Sequence, residues 1–125
     1  QELQRFAIEA ARRLLDEQDE LEGALGEVLS EPKPGVIFDA LESPDDARVE
    51  GAGVRLDRRS RMLYDDRRVY LNGEAYLAGG RDAKLIRQLA QDRRLPASGV
   101  ARLGDGAREL LTQWVEAGWL HLCEE

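Results

Sequence analysis

Apolar residues recur at helical spacing from Leu3 to Leu29, through Ala7, Ala10, Leu14, Leu21, Leu25 and Val28. The pattern predicts one amphipathic helix over residues 1–30, with Gly23 and Gly26 as the points where it can break. Glu9, Arg12, Arg13, Asp16, Glu17, Asp19 and Glu20 give the helix a well-solvated face, which leaves the stripe in need of a covering partner. Two coverings satisfy the pattern: the core of the same chain, or a subunit contact or helix outside it.

Pro32 and Pro34 then stop the helix, and Gly35 leads into a short apolar run over residues 36–38 that reads as a loop entering a strand or as an extended anchor. Residues 42–53 form a polar, glycine-bearing connection with little helical or strand character. From Val54 to Leu77 the period becomes that of strands: Val54 and Leu56, residues 62–64, residues 69–71 and residues 74–77. Asn72-Gly73 between the last two is a strong hairpin signal, because both central positions of a type I′ turn need positive φ. Asp65 and Asp66 supply the turn before it.

After Gly79-Gly80 the helical period returns. Asp82 is expected to cap a helix carrying Leu85, Ile86, Leu89 and Ala90 and ending near Leu95-Pro96. Ser98 is expected to cap a short helix through Leu103. Asp105 is expected to cap a third helix, with Leu110, Leu111, Trp114 and Val115 on its inner face and its end at Gly118. Residues 119–123 alternate again as a final strand. The expected class is α+β: an amphipathic N-terminal helix over 1–30, then a winged-helix-like domain with a β-hairpin over 31–125.

Length and composition narrow the function. A chain of 125 residues makes about one domain, and 42% hydrophobic residues suffice for a core. No apolar run approaches the roughly 20 residues that cross a bilayer, so no membrane partner is expected. A lone cysteine, Cys123, fits a reducing compartment, and the protein is read as cytoplasmic. Because the chain opens on Gln1 with a helix already under way, it is expected to be part of something longer.

Charge argues against nucleic acid. The net charge is −7; residues 1–80 hold 11 basic and 18 acidic side chains, and residues 81–125 hold 7 of each, so neither part is basic. The helix after Asp105 would be the groove-reading element of a winged helix. Its polar positions carry three acids, Asp105, Glu109 and Glu116, against one base, Arg108, which repels phosphate. No DNA partner is expected. The arginines around RMLYDDRRVYLNGEAY, with Arg55, Arg58 and Arg59, interleave with Asp57, Asp65 and Asp66 and are expected to pair across strands. A local RNA contact there is the weaker alternative.

Catalytic chemistry finds little purchase. His121 and Cys123 cannot complete a tetrahedral zinc site or an iron triad of two histidines and a carboxylate, and His121 is assigned no role. Ser30, Ser43, Ser60 and Ser98 lie in no nucleophile elbow, and the pairs Asp45-Asp46 and Asp65-Asp66 read as solvated turns. LAGGRD, residues 77–82, lacks the lysine-serine pair of a phosphate loop and reads as a tight turn.

The collinear segments SEPKPGVIFD, LDRRSRMLYDDRRVYLNGEAY, LIRQLAQDRRL and LLTQWVEAGWLHL resemble the C-terminal half of the bacterial ribosomal oxygenases of the JmjC/cupin type, over nearly the whole chain. The resemblance implies a parent with an N-terminal cupin barrel that binds Fe(II) and 2-oxoglutarate through a His-x-Asp…His triad and hydroxylates an arginine of a large-subunit ribosomal protein. It further implies that residues 1–30 end a dimerisation region, that residues 31–125 form the winged helix, and that the chain is noncatalytic. No catalytic, cofactor-binding or metal-binding residue carries over. The expected partners are a second copy, through the candidate self-association stripe Leu3, Ala7, Ala10, Leu14, Leu21, Leu25 and Val28, and for the parent a ribosomal protein substrate. The alternative is a stand-alone winged-helix regulator or adaptor; a nucleic-acid-binding module ranks below it.

Overall fold

The computed structural model describes residues 2–77 and 79–123, except the side chain of Pro44. Helix α1 (Glu2–Ser30) is followed by a 3-10 turn (Pro44–Ala47), strands β1 (Gly53–Leu56), β2 (Met62–Tyr64), β3 (Arg68–Leu71) and β4 (Glu74–Leu77), helix α2 (Gly80–Asp92), strand β5 (Arg94–Leu95), helices α3 (Ala97–Ala101) and α4 (Asp105–Glu116), and strand β6 (Leu120–Cys123). This is the expected α+β class.

The strands divide into two sheets. β1 pairs antiparallel with β5 on one side, Val54 opposite Leu95, and with β6 on the other, Leu56 opposite Leu120. β2, β3 and β4 form a separate meander, with Leu63 opposite Tyr70 and Tyr70 opposite Ala75. The expected hairpin is therefore the second half of a three-stranded unit. Its turn is the expected one: Asn72 and Gly73 stand at φ 50° and 91°, the positive values a type I′ turn demands. The Asn72 carboxamide oxygen accepts the Arg61 N–H at 2.9 Å, tying β2 to the same turn.

Helix α2 stops earlier than its apolar period suggests. Arg93 takes a left-handed conformation, φ 60°, and its guanidinium donates to the carbonyls of Asp57 at 2.9 Å and Ser60 at 3.1 Å. Those bonds hold a conformation that an L residue otherwise disfavours, and they turn Arg94 and Leu95 into a strand. The capping assignments also shift. Gly79, Pro96 and Gly104 occupy the cap positions of α2, α3 and α4, in place of Asp82, Ser98 and Asp105. Asp82 caps across space instead: its carboxylate accepts the Gly104 N–H at 3.0 Å, at the start of α4.

α2 contributes Leu85, Ile86 and Leu89 to the core, and α4 contributes Leu111, Trp114 and Val115, at the one-and-four and three-and-four spacings of a single helix face. They close over Val54, Leu56 and Leu120 from the β5–β1–β6 sheet and Val69 and Leu71 from the meander. Ala47 and Val49, in the segment expected to be only a polar connection, are fully buried in the same core. The run over residues 36–38 is an extended anchor and not a strand. Phe38 packs edge-on to Trp119, with ring centroids 6.3 Å apart, and the Arg59 guanidinium lies over the Phe38 ring, 5.4 Å from its centre.

Candidate functional site: the uncovered face of helix α1

Helix α1 runs through Gly23 and Gly26 without a break. The reason lies in what faces it. Asp19, Gly23, Gly26 and Ser30, spaced four, three and four apart, line one side of the helix, and that side lies on the meander. A Cβ at Gly26 would overlap the Tyr70 ring, and one at Gly23 would stand 3.0 Å from the Arg68 guanidinium. The two glycines thus permit close approach. Ser30 Oγ accepts the Gly73 N–H at 3.1 Å and donates to the Glu27 carbonyl at 3.1 Å, which joins the end of α1 to the β3–β4 turn.

Electrostatics fasten the same contact. Arg68 donates to the Asp19 carboxylate at 2.8 Å, and Arg67 lies 3.2 Å from its other oxygen. The Arg68 guanidinium, aided by Arg67, outweighs partial desolvation and holds the Asp19 carboxyl below its ordinary range. Asp65 is partly desolvated, which pushes its pKa up. The Tyr70 hydroxyl, at 2.6 Å, and the N–H groups of Arg67 and Arg68, both at 2.8 Å, overcome this and bring it down. These arginines therefore pair with α1 and with their own turn rather than across strands.

The apolar stripe is left uncovered. Leu21, Leu25 and Val28 each stand two residues from one of the buried glycines, about 200° around a helix of 3.6 residues per turn. Leu3, Leu14, Leu21, Leu25 and Val28 are 83%, 66%, 69%, 54% and 60% exposed, Ala7 is exposed, and Ala10 is half-buried. The structure thus brings all seven predicted residues to the surface, and covering by the same chain's described core does not occur. Phe6, Ile8, Leu15 and Leu29 extend the exposed apolar surface beyond the predicted stripe. So do Leu63 and Tyr64 of β2, which border a groove of about 780 Å³ between α1 and the β2–β3 turn. These residues were missed because strand alternation says which side of a sheet is polar, not what stands beside it.

A second polar cluster lies where the chain leaves β1. Buried Asp57 accepts from the Arg59 side chain at 2.8 Å and from the Arg59 backbone N–H at 2.9 Å, and His121 Nε2 lies 2.7 Å from its second oxygen. Arg59, against partial desolvation and with help from His121, holds the Asp57 carboxyl well below the usual carboxylate range. Arg59 also reaches the Ile37 carbonyl at 2.8 Å. The cluster thus ties β1, β6 and the extended anchor together, giving His121 a structural role that the sequence reading did not assign. The Asp57-to-Arg59 backbone bond is a local turn signal that sequence inspection can find. The histidine, in a strand far along the chain, gives no such signal.

Among the described residues, no three His, Cys, Asp or Glu side chains gather as a metal site requires. An iron ion held by two histidines and a carboxylate therefore finds no fitting ligand set among the described residues. Ser30 and Ser60 serve structural bonds, the latter donating to the Trp119 carbonyl at 2.9 Å. Asp105 and Arg108 on α4 pair with each other at 2.5 Å. No helix among the described residues is long and apolar enough to cross a membrane.

Comparison with known proteins decides the family. A family model described as ROXA-like winged helix matches residues 12–121. The chain belongs to this family. No curated protein matches it. Among solved structures, this ROXA-like winged helix is similar to Escherichia coli ycfD, with 20% identity and a TM-score of 0.71 over 95% of this chain and 34% of that one. It is similar also to the E. coli ribosomal oxygenase YcfD, with 22% identity and a TM-score of 0.70 over 94% and 34% of the two chains. A further match is YcfD in complex with cobalt and 2-oxoglutarate, with 21% identity and a TM-score of 0.69 over 96% and 35%. At these identities the likeness establishes the fold. The ROXA-like chain spans about a third of the length of the structures it matches.

Proposed function

We propose that this chain is the noncatalytic C-terminal portion of a cytoplasmic Fe(II)/2-oxoglutarate-dependent oxygenase that hydroxylates an arginine of a large-subunit ribosomal protein. In this reading α1 supports self-association of the parent, and the winged helix acts as a protein-interaction scaffold. The observation that carries it is the fold likeness: 94% of this chain superposes on 34% of a ribosomal oxygenase, which leaves the rest of such a protein to hold the iron. The uncovered stripe on α1 supports the association role, because monomeric proteins rarely leave so much contiguous apolar surface in water.

The test begins with the gene. Sequence upstream of Gln1 encoding His-x-Asp and a later His within cupin-like strands, and a full-length product that adds one oxygen atom from dioxygen to arginine in ribosomal protein when supplied with Fe(II), 2-oxoglutarate and dioxygen, releasing succinate and carbon dioxide, support the proposal. A start codon close to Gln1 contradicts it and leaves the stand-alone adaptor.

A further inference from the structure

The groove between α1 and the β2–β3 turn is preformed. Tyr70 against Gly26 and Arg68 against Asp19 fix its two walls, and its surface combines Leu29 from α1 with Leu63 and Tyr64 from β2. Its charged lining is one-sided, with Asp19, Glu22, Asp65 and Asp66 against Arg67 alone. Arg67 is already engaged by Asp19 at 3.2 Å, and Asp65 by the Tyr70 hydroxyl and two backbone N–H groups. Among the described residues Glu22 accepts only the Gln18 amide, at 3.3 Å. Asp66 has no ion-pair partner among the described residues, since Arg87 reaches its carbonyl and not its carboxylate.

From this arrangement we infer that the groove binds a cationic segment of another protein, one that presents lysine or arginine to Glu22 and Asp66 and places an apolar side chain against Leu63 and Leu29. Apolar anchors supply affinity at such a surface, and charges of opposite sign supply encounter rate and partner choice. Nucleic acid brings the wrong charge. A second copy of a chain with net charge −7 is a poorer match than a basic segment. Of the seven stripe residues, Leu25 lines this groove and Leu3, Ala7, Ala10, Leu14, Leu21 and Val28 do not, so the stripe and the groove are neighbouring faces of α1 that share one edge. The inference concerns binding by this chain itself and stands apart from the oxygenase reading, so either can fail alone.

The test is fluorescence anisotropy with two labelled peptides, one alternating leucine with lysine and arginine, the other carrying glutamate at every basic position. The cationic peptide is expected to saturate the chain, to weaken as salt rises, and to lose about tenfold in affinity with Glu22→Lys and again with Asp66→Lys. Leu63→Ser should lower affinity as well. All three sites are exposed, and circular dichroism checks that the variants fold. Glu109→Lys, on the outer face of α4, is the control and should leave binding unchanged. Equal binding of both peptides, equal loss with Glu109→Lys, or binding only to a monomeric Leu14→Asp variant, which would mean that a second copy fills the groove, overturns the inference.

Discussion

The ring of Tyr70 rests on helix α1 at Gly26, so closely that no β-carbon fits between them. This contact sets the helix on the meander and turns its apolar stripe outward. The partner at Gly26 is a buried ring, and the partner at Gly23 is the movable end of an arginine. Gly26→Ala is therefore expected to destabilise the fold by about 1–3 kcal/mol, as overpacking does. Gly23→Ala should be close to neutral, because its gain in helix propensity, about 1 kcal/mol, offsets a small shift of Arg68. Urea unfolding of both variants measures the difference.

Asp57 makes the fold sensitive to acid. Its folded pKa lies below the unfolded value, because Arg59 and then His121 favour the charged form. The stabilisation is complete above the unfolded carboxylate value of about 3.9 and fades as pH falls from there toward the folded pKa. Asp57→Asn should lower stability at neutral pH by about 1–3 kcal/mol, through lost charge-assisted hydrogen bonds. It should also flatten the dependence of stability on pH below about 4. Chemical unfolding from pH 7 down to pH 2 checks both.

The carboxylate of Asp82 belongs to the start of α4 and not to that of its own helix. Asp82→Ala should cost about 1 kcal/mol, the scale of a lost cap. Hydrogen exchange should rise at the first turn of α4 more than at the first turn of α2.

Gly73 occupies a left-handed position, φ 91°, and an added Cβ would stand 3.2 Å from the Glu31 side chain. Gly73→Ala should cost about 1–2 kcal/mol. Because this turn also holds Ser30, proteolytic sensitivity near the end of α1 should increase.

The periodic parts of the chain were legible. Helical spacing located α1, α2 and α4, alternation located the strands, and Asn72-Gly73 marked its turn. What escaped depends on residues distant in sequence. β5 follows α2 directly and owes its conformation to Arg93 reaching Asp57 and Ser60. Ala47 and Val49 lie in a polar stretch and become core because the chain folds back there. α1 posed the sharpest difficulty, since its buried face consists of glycines, a serine and an aspartate. Hydrophobic pattern marks the opposite side, so it found the exposed stripe but not the contact with the meander, nor the groove beside it.

The central claim is that α1 holds itself to the chain by its small-residue side and offers its apolar side to another polypeptide. Leu14 and Leu21 are 66% and 69% exposed, so changing either to aspartate should alter folding stability by no more than about 0.5 kcal/mol. Sedimentation equilibrium of the native chain beside its Leu14→Asp and Leu21→Asp variants tests the claim most directly. A native chain that forms dimers and variants that run as well-folded monomers are the predicted result; native and variant chains that are all monomeric, or variants that unfold, would contradict it.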